Sequence, residues 1–338
     1  PLLVGGKAIN RYKLSWDGSY LKYDIKGIHS CKREDIFLTP EKILFRRVGK
    51  RLIATLDNEQ FYALHTLVVM NLKKDSSYNL RYILALFNSN LMNFYYNIFY
   101  RSTKKVFSEI EARQVAQLPI KVISNEQQKP FIELVDKMLS LNKQLNKIDT
   151  NFDHYVNQYP RTKDTTLRYL MNKLPLNDKK VLRDHYGKLT NQIEGKIKEF
   201  EIIEEGEWLI FKVGYLFKSR KGKEVLISNV KAFKCRIEDE NLRKFLYYSI
   251  KEYITPGKVG KGNIYERILK IKIPQFDSNE KENKKIIDKI MDSYLEEVGK
   301  SNELKKEIEE TDRIIDNMVY ELYGLTEEEI KIVEEEIK

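Results

Sequence analysis

A pattern that occurs twice constrains this chain more than any other feature. Residues 79–86 read NLRYILAL and residues 241–248 read NLRKFLYY. After the first come a basic loop with Arg101, Lys104 and Lys105, an apolar stretch ending in Leu118-Pro119-Ile120, and a helical run from Phe131. After the second come a basic Gly loop with Lys258 and Lys261, a stretch ending in Ile273-Pro274-Gln275, and a helical run from Ile286. The separation is 162 residues between Asn79 and Asn241 and 155 between Pro119 and Pro274, an ordinary loop-length change. The order of elements is shared where the letters are not, so the pattern reads as a structural repeat. It predicts two α+β modules joined by long helices.

Local signals fill in that frame. Residues 1–75 alternate short β-like segments with turns, Trp16-Asp17-Gly18-Ser19 among them. Lys42–Arg47 and Arg51–Leu56 flank Val48-Gly49-Lys50 and predict a hairpin with a basic tip. Phe61–Leu72 is a third β-rich run, in which His65 reads as a core histidine. The spacing of Leu80, Ile83, Leu84, Phe87, Leu91, Phe94, Tyr95 and Ile98 predicts helix. Pro130 marks a helix start. Beyond it, Leu134, Met138, Leu141, Leu145 and Ile148 form a coiled-coil seam that predicts packing inside the chain.

Farther on, residues 167–200 read as helical with a break at Pro175. Trp208–Phe217 and Val225–Ile237 are β-rich around the basic turn 218–223. The last helical region, from about Glu282 to Tyr323, shifts its seam near Gly299, which predicts a kink or turn there. Gly324 reads as its C-cap, and Thr326 to Glu329 open a final short helix.

Charge is unevenly distributed. Residues 276–338 hold 10 Lys+Arg and 20 Asp+Glu, so the remainder of the +10 chain is strongly basic. That implies a polyanion-binding body with an acidic helical tail facing elsewhere. Cys31 and Cys235 lie far apart and form no CxxC or Cys/His cluster, which argues against a disulfide scaffold or structural zinc. The longest apolar run, around Leu64–Leu72, is too short to span a bilayer, and no signal-peptide pattern opens the chain. A cytoplasmic protein without membrane association is expected. The chain starts at Pro1-Leu2-Leu3-Val4 without an initiating Met, which predicts a segment of a longer protein.

Catalytic patterns do not assemble. The histidines 29, 65, 154 and 185 make no metal cluster in sequence, and no NPPY-type or FxGxG-type motif occurs. Gly257, Gly260 and Gly262 fit no phosphate-loop template. Catalysis by this segment is not expected, and neither a catalytic residue nor a metal is assigned to it.

The N-terminal third resembles the C-terminal specificity domain of TaqI-like adenine DNA methyltransferases and of related single-chain (type IIG) restriction-modification enzymes. The residues that carry the resemblance are Val4-Gly5-Gly6-Lys7-Ala8-Ile9-Asn10-Arg11-Tyr12, Lys42–Gly49, Leu52–Asp57 and Tyr62–Thr66, then Leu84–Phe94 with Asn88-Ser89, and Gln117–Ile120. Asp312–Ile330 is similar to the end of such enzymes. An additional stretch at about 150–275 makes the layout resemble the two-module type I specificity subunits.

The resemblance implies sequence-specific recognition of double-stranded DNA by a segment whose methyltransferase, with or without a nuclease, lies upstream. No cofactor is expected in this segment, and S-adenosylmethionine is expected for the missing catalytic domain. Expected DNA contacts are Lys7, Arg11, Tyr12, Arg46, Arg47, Lys50, Arg51, Arg101, Thr103, Lys104, Lys105, Arg220, Lys221, Lys258, Lys261 and Asn263. An arginine of the hairpin tip would meet guanine bidentately; alternatively the tip arginines pair with carboxylates such as Asp57 or Glu59. The domain expectation is 1–123 for a first recognition module, 124–150 for a spacer helix, 151–200 for a polar linker and helical insert, 201–276 for a smaller second module, and 277–338 for a long helical region with an acidic tail. The rival function is a protein-interaction scaffold that uses the paired long helices, its basic surface incidental.

Overall fold

The computed structural model of the chain describes residues 1–27, 32–100, 109–194, 196–218, 222–253 and 262–337. The fold is α+β, and it divides into two compact units, residues 1–148 with 300–338 and residues 149–299.

In the first unit, strand β1 (Leu3–Val4) runs parallel to β6 (Tyr62–Ala63), and β2 (Ile9–Asn10) and β3 (Lys13–Leu14) form a hairpin that turns at Arg11-Tyr12. The central sheet has β4 (Lys42–Arg46) between β5 (Ala54–Asp57) and β7 (Leu67–Met70), all antiparallel. Ile43 and Phe45 of β4 are fully covered on the face that meets helix α1 (Leu80–Asn88), with the Phe45 and Phe87 rings 5.1 Å apart. The helical run ending at Tyr100 is two helices. Ser89 is extended, and α2 (Asn90–Tyr100) restarts with the Met92 amide donating to Ser89 Oγ at 3.2 Å. His65 is exposed in the bend between β6 and β7, which corrects its reading as a core residue.

After α3 (Ala112–Val115), the Pro119 segment forms no strand. Helix α4 (Asn125–Leu145) starts earlier than Pro130 suggests, because Ser124 and Gln127 cap each other reciprocally. Pro130 therefore lies inside the helix and removes one backbone donor. The neighbouring Gln128 is buried and bridges the chain before α1: its amide oxygen accepts from Asn79 N at 2.8 Å and its Nε2 donates to Ser77 O at 2.9 Å. The buried stripe of α4 is Phe131, Val135, Met138 and Leu141, and the expected Leu134 packs half-buried against the same core as Val135. That stripe shares a core with α1 and, as expected, with the distal part of the last long helix.

The second unit contains α5 (Phe152–Asn157), β8 (Lys163–Thr166), α6 (Leu167–Lys173), β9 (Lys179–Val181), β10 (Lys196–Glu205), β11 (Trp208–Lys218), β12 (Glu224–Arg236), α7 (Glu240–Tyr253), α8 (Ile264–Leu269) and β13 (Lys272–Gln275). Its main sheet has the order β10-β11-β12-β9, every pair antiparallel, and β13 pairs with β8. The core holds Leu209, Phe211, Phe233, Cys235, Phe245 and Ile264, among others. The stretch read as a polar linker contributes Phe152, Val156, Leu167 and Met171 to that core. Residues 167–200 are helical only to Lys173. Beyond Pro175, Lys179–Val181 pair with the edge of β12, and a strand forms instead of the expected helix.

The last long helix, α9 (Glu280–Tyr323), is 44 residues without interruption. Its first part packs Ile287, Ile290, Met291 and Tyr294 into the core of the second unit, and its last part packs Ile315 and Val319 into the core of the first. The seam shift near Gly299 therefore marks a change of core, and no turn interrupts the helix there. The Lys137–Glu307 ion pair (2.8 Å) joins the distal part of α9 to α4. Gly324 ends α9 and a reciprocal Thr326/Glu329 cap opens α10 (Glu327–Ile337), as expected. This acidic helix does not stand apart from the first unit, as its charge suggests: Val333 and Ile337 are buried, and it packs on α2.

The repeat survives as an approximate order of elements in both units: antiparallel sheet, a helical segment (α1 with α2, or α7), a short helix (α3 or α8), a Pro segment that is a strand only in the second unit, and a long helix. Its letters have diverged in role. Asn79 caps α1, whereas Asp239 accepts from Leu242 N before α7 and Asn241 reaches Asp288 and Asp292. Both arginines stay anchored, Arg81 on Glu41 and Asp136, Arg243 on Glu204 and the Ile237 carbonyl.

Candidate nucleic-acid interface

The β4–β5 hairpin is fixed by polar side chains at its base and flank. At the base, Lys42 and Asp57 face each other across the pair with Nζ and Oδ2 2.6 Å apart, both side chains 0% exposed. A buried ion pair is tolerated only when its remaining valences are met. Here Lys42 also donates to Phe37 O (2.7 Å), and Asp57 accepts from Glu59 N (2.8 Å) and Phe61 N (3.0 Å). On the flank, the Asn88 amide does the work of a neighbouring strand: it accepts from Ala54 N (2.9 Å) and donates to Ala54 O (3.1 Å). Asn93 accepts from Leu52 N at 2.7 Å. The α1–α2 break therefore sets where the second strand of the hairpin runs.

The tip cations divide into anchors and exposed groups. Arg46 donates to Ile9 O (2.6 Å) and Asn10 Oδ1 (2.9 Å), and burial holds its guanidinium below the ordinary value. Arg51 donates to the Ile337 carbonyl at the end of α10, where a cation complements the helix dipole. Arg47 pairs with Glu109 at 3.3 Å across two exposed side chains, its own 46% exposed. Lys50 and Lys7 are exposed. A tip arginine does pair with a carboxylate, but that carboxylate is Glu109; Asp57 is taken by Lys42. Below the tip, a groove of about 700 Å³ is lined by Leu3, Gly5, Lys7, Arg46, Val48 and Thr66, among others. The backbone approaches closely here: a Cβ on Gly6 would sit a tight 3.2 Å from Thr66 O, and the Gly6 amide donates to Thr66 Oγ1 at 2.9 Å.

Other expected contacts lie elsewhere. Tyr12 is 1% exposed, with φ of 56° and its amide on Ala54 O, and burial raises its hydroxyl pKa; a core ring cannot stack on a base, so that expectation is corrected. Arg11 pairs with Asp312 of α9 at 2.7 Å, which makes it a tie within the first unit. One turn on, Asp316 accepts from Asn90 N (2.8 Å), and burial pushes its carboxyl up to about 6 against the opposing pull of Arg11. Asn263 caps α8, its side chain accepting from Glu266 N at 2.8 Å, a local structural role. Arg101, Thr103, Lys104, Lys105, Arg220, Lys221, Lys258 and Lys261 lie outside the described residues. Among the described residues, no cluster of three or more metal-ligating side chains forms and no helix is long and apolar enough to cross a membrane.

The hairpin, the Gly5-Gly6 turn and the Asn88-Ser89 break all fall in one sequence block. Residues 1–120 match the TaqI-like C-terminal specificity domain. The match covers the N-terminal residues that carry the resemblance in the sequence, not Asp312–Ile330, and it ends just before α4. A specificity domain of this kind suggests DNA sequence recognition in a methyltransferase. No curated protein matches the chain. Sequence reasoning singled out Asn88 as part of a motif but missed Lys42, Asp57 and Asn93 as the residues that hold the hairpin. A lysine opposite an aspartate at the two ends of a predicted hairpin was the available signal.

Proposed function

We propose that this chain selects and grips a double-stranded DNA site for a site-specific adenine methyltransferase, the specificity domain setting the position of a catalytic part that uses S-adenosylmethionine. The observation that carries the reading is the match of residues 1–120 to a specificity domain whose hairpin base is locked by buried polar pairs while cations remain exposed at its tip. In this reading Lys7 and Lys50 take phosphates. Arg47 exchanges Glu109 for DNA, an exchange that costs little because an exposed ion pair contributes at most about 1 kcal/mol. Arg46 and Arg51 hold the hairpin in shape. Phosphate contacts supply affinity and register, and a guanidinium fork in the major groove supplies the reading of guanine.

Fluorescence anisotropy of the whole chain with random 30-base-pair duplex across a salt series tests this. Wild type should bind at low salt. Lys7→Ala with Lys50→Ala should flatten the log–log salt dependence by about 1.8, two contacts at roughly 0.9 each. Absence of duplex binding at low salt overturns the reading.

A further inference from the structure

In the second unit the backbone builds one turn with more care than its packing requires. Residues 183–188 follow β9, closed by the bridge between Arg183 and Leu189. Asp184 turns its carboxylate inward: Oδ1 accepts from Tyr186 N (3.0 Å) and Lys188 N (2.8 Å), and Oδ2 accepts from the Tyr215 hydroxyl (2.9 Å). The Asp184 amide donates to Lys188 O at 2.9 Å, and Gly187 adopts φ of 78°, a conformation that favours glycine. Arg183 Nη1 donates to Gly187 O at 2.6 Å, and His185 Nε2 lies 3.1 Å from Ser228 O on β12. The following Thr190 is buried and donates to Ala232 O at 2.6 Å.

The outer side of this turn is basic and aromatic. Arg183, His185, Tyr186 and Lys188 are all exposed, Tyr186 at 76%. The segment 179–188 carries Lys179, Lys180, Arg183 and Lys188 against Asp184 alone, and that one acid is occupied by donors behind the turn. A rigid turn with an outward ring between cations matches a polyanion that offers sugar and base edges between its phosphates, and the ordering entropy of the turn has already been met in the free protein.

We propose that the turn Arg183–Lys188 is a second contact for duplex DNA, with Arg183 and Lys188 on phosphates and Tyr186 against a sugar or base edge. The proposal rests on the DNA-recognition reading above and extends it to the second unit. It is tested with the whole chain in the same anisotropy assay. Arg183→Ala with Lys188→Ala should lower the salt slope by about 1.8. Tyr186→Ala should weaken binding by roughly tenfold, and Tyr186→Phe should retain most of it. Arg183 also closes the turn, so Lys188→Gln alone, with an expected slope loss of about 0.9, separates contact from folding. Wild-type slope and affinity in Lys188→Gln and Tyr186→Ala, with the salt slope still flattened on changing Lys7 and Lys50, overturn the second contact and leave the specificity-domain reading intact. If wild type itself binds no duplex, both readings fall.

Discussion

The two units repeat an order of elements, yet they are held together differently. The first keeps its short hairpin in place with buried polar groups: Lys42 on Asp57, Asn88 and Asn93 on the strand entering β5, Gln128 before α1, Asp316 beneath α2. The second relies on three long strands and an apolar core in which buried polar side chains are few, Thr190, Arg243 and Ser249 among the described residues. A long strand fixes its own register, because a one-residue slip turns every side chain to the wrong face. A strand of four or five residues has less such information, and directional hydrogen bonds supply it. The polar unit is also the one whose residues 1–120 match a specificity domain.

The sharpest way to break this comparison is to remove one support from each unit. Lys42→Ala leaves Asp57 buried without its cation and should cost about 3–5 kcal/mol. Phe233→Ala opens a cavity beside Phe211 and should cost about 3–5 kcal/mol as well. If the units are separately stabilised, calorimetry should show a different transition falling in each variant. Equal loss of both transitions would mean that the chain unfolds as one body.

A smaller effect tests the polar network by pH. Asp316 titrates near 6 in the fold against 3.8 for the free group. The folded state therefore binds more protons between these values, so the Asp316 contribution to stability is present at acid pH and is lost as pH rises through about 6. Asp316→Asn, which can keep the acceptor for Asn90 N, should raise stability at pH 7 by on the order of 2 kcal/mol and flatten its dependence between pH 4 and 6. Urea midpoints at pH 4.5 and 7 check the sign. The smallest effect is expected at the exposed Arg47–Glu109 pair: Arg47→Ala should change stability by less than about 1 kcal/mol in urea unfolding. A larger loss would move Arg47 from the exposed cations to the anchors.

What the sequence made legible follows the same division. Trp208–Phe217 and Val225–Ile237 are apolar and β-branched, and they fold as the strands they resemble. The helix spacing from Leu80 holds, although Ser89 and its cap interrupt it. Lys179–Val181 were misread because a three-residue strand exists only where β12 offers an edge. Val135 joins Leu134 in the core because α4 serves two neighbours at once, α1 and α9, and a heptad seam anticipates one. The candidate contacts were harder still. Charge alone cannot separate Lys50, which is exposed, from Arg51, which ends on α10, or from Lys42, which is buried. Tyr12 shows the same gap, since a motif position says nothing of which way a ring turns.

Cys235 sits mid-sheet on β12, opposite Leu209 and Lys179, with its thiol pushed up to about 12 by burial. A thiol so protonated and so covered is chemically silent while the strands stay paired. Its alkylation can proceed only when the core that covers it opens. Measured at Cys235 and told apart from Cys31, the rate of that chemistry is thus an internal clock for the opening of the second unit's core.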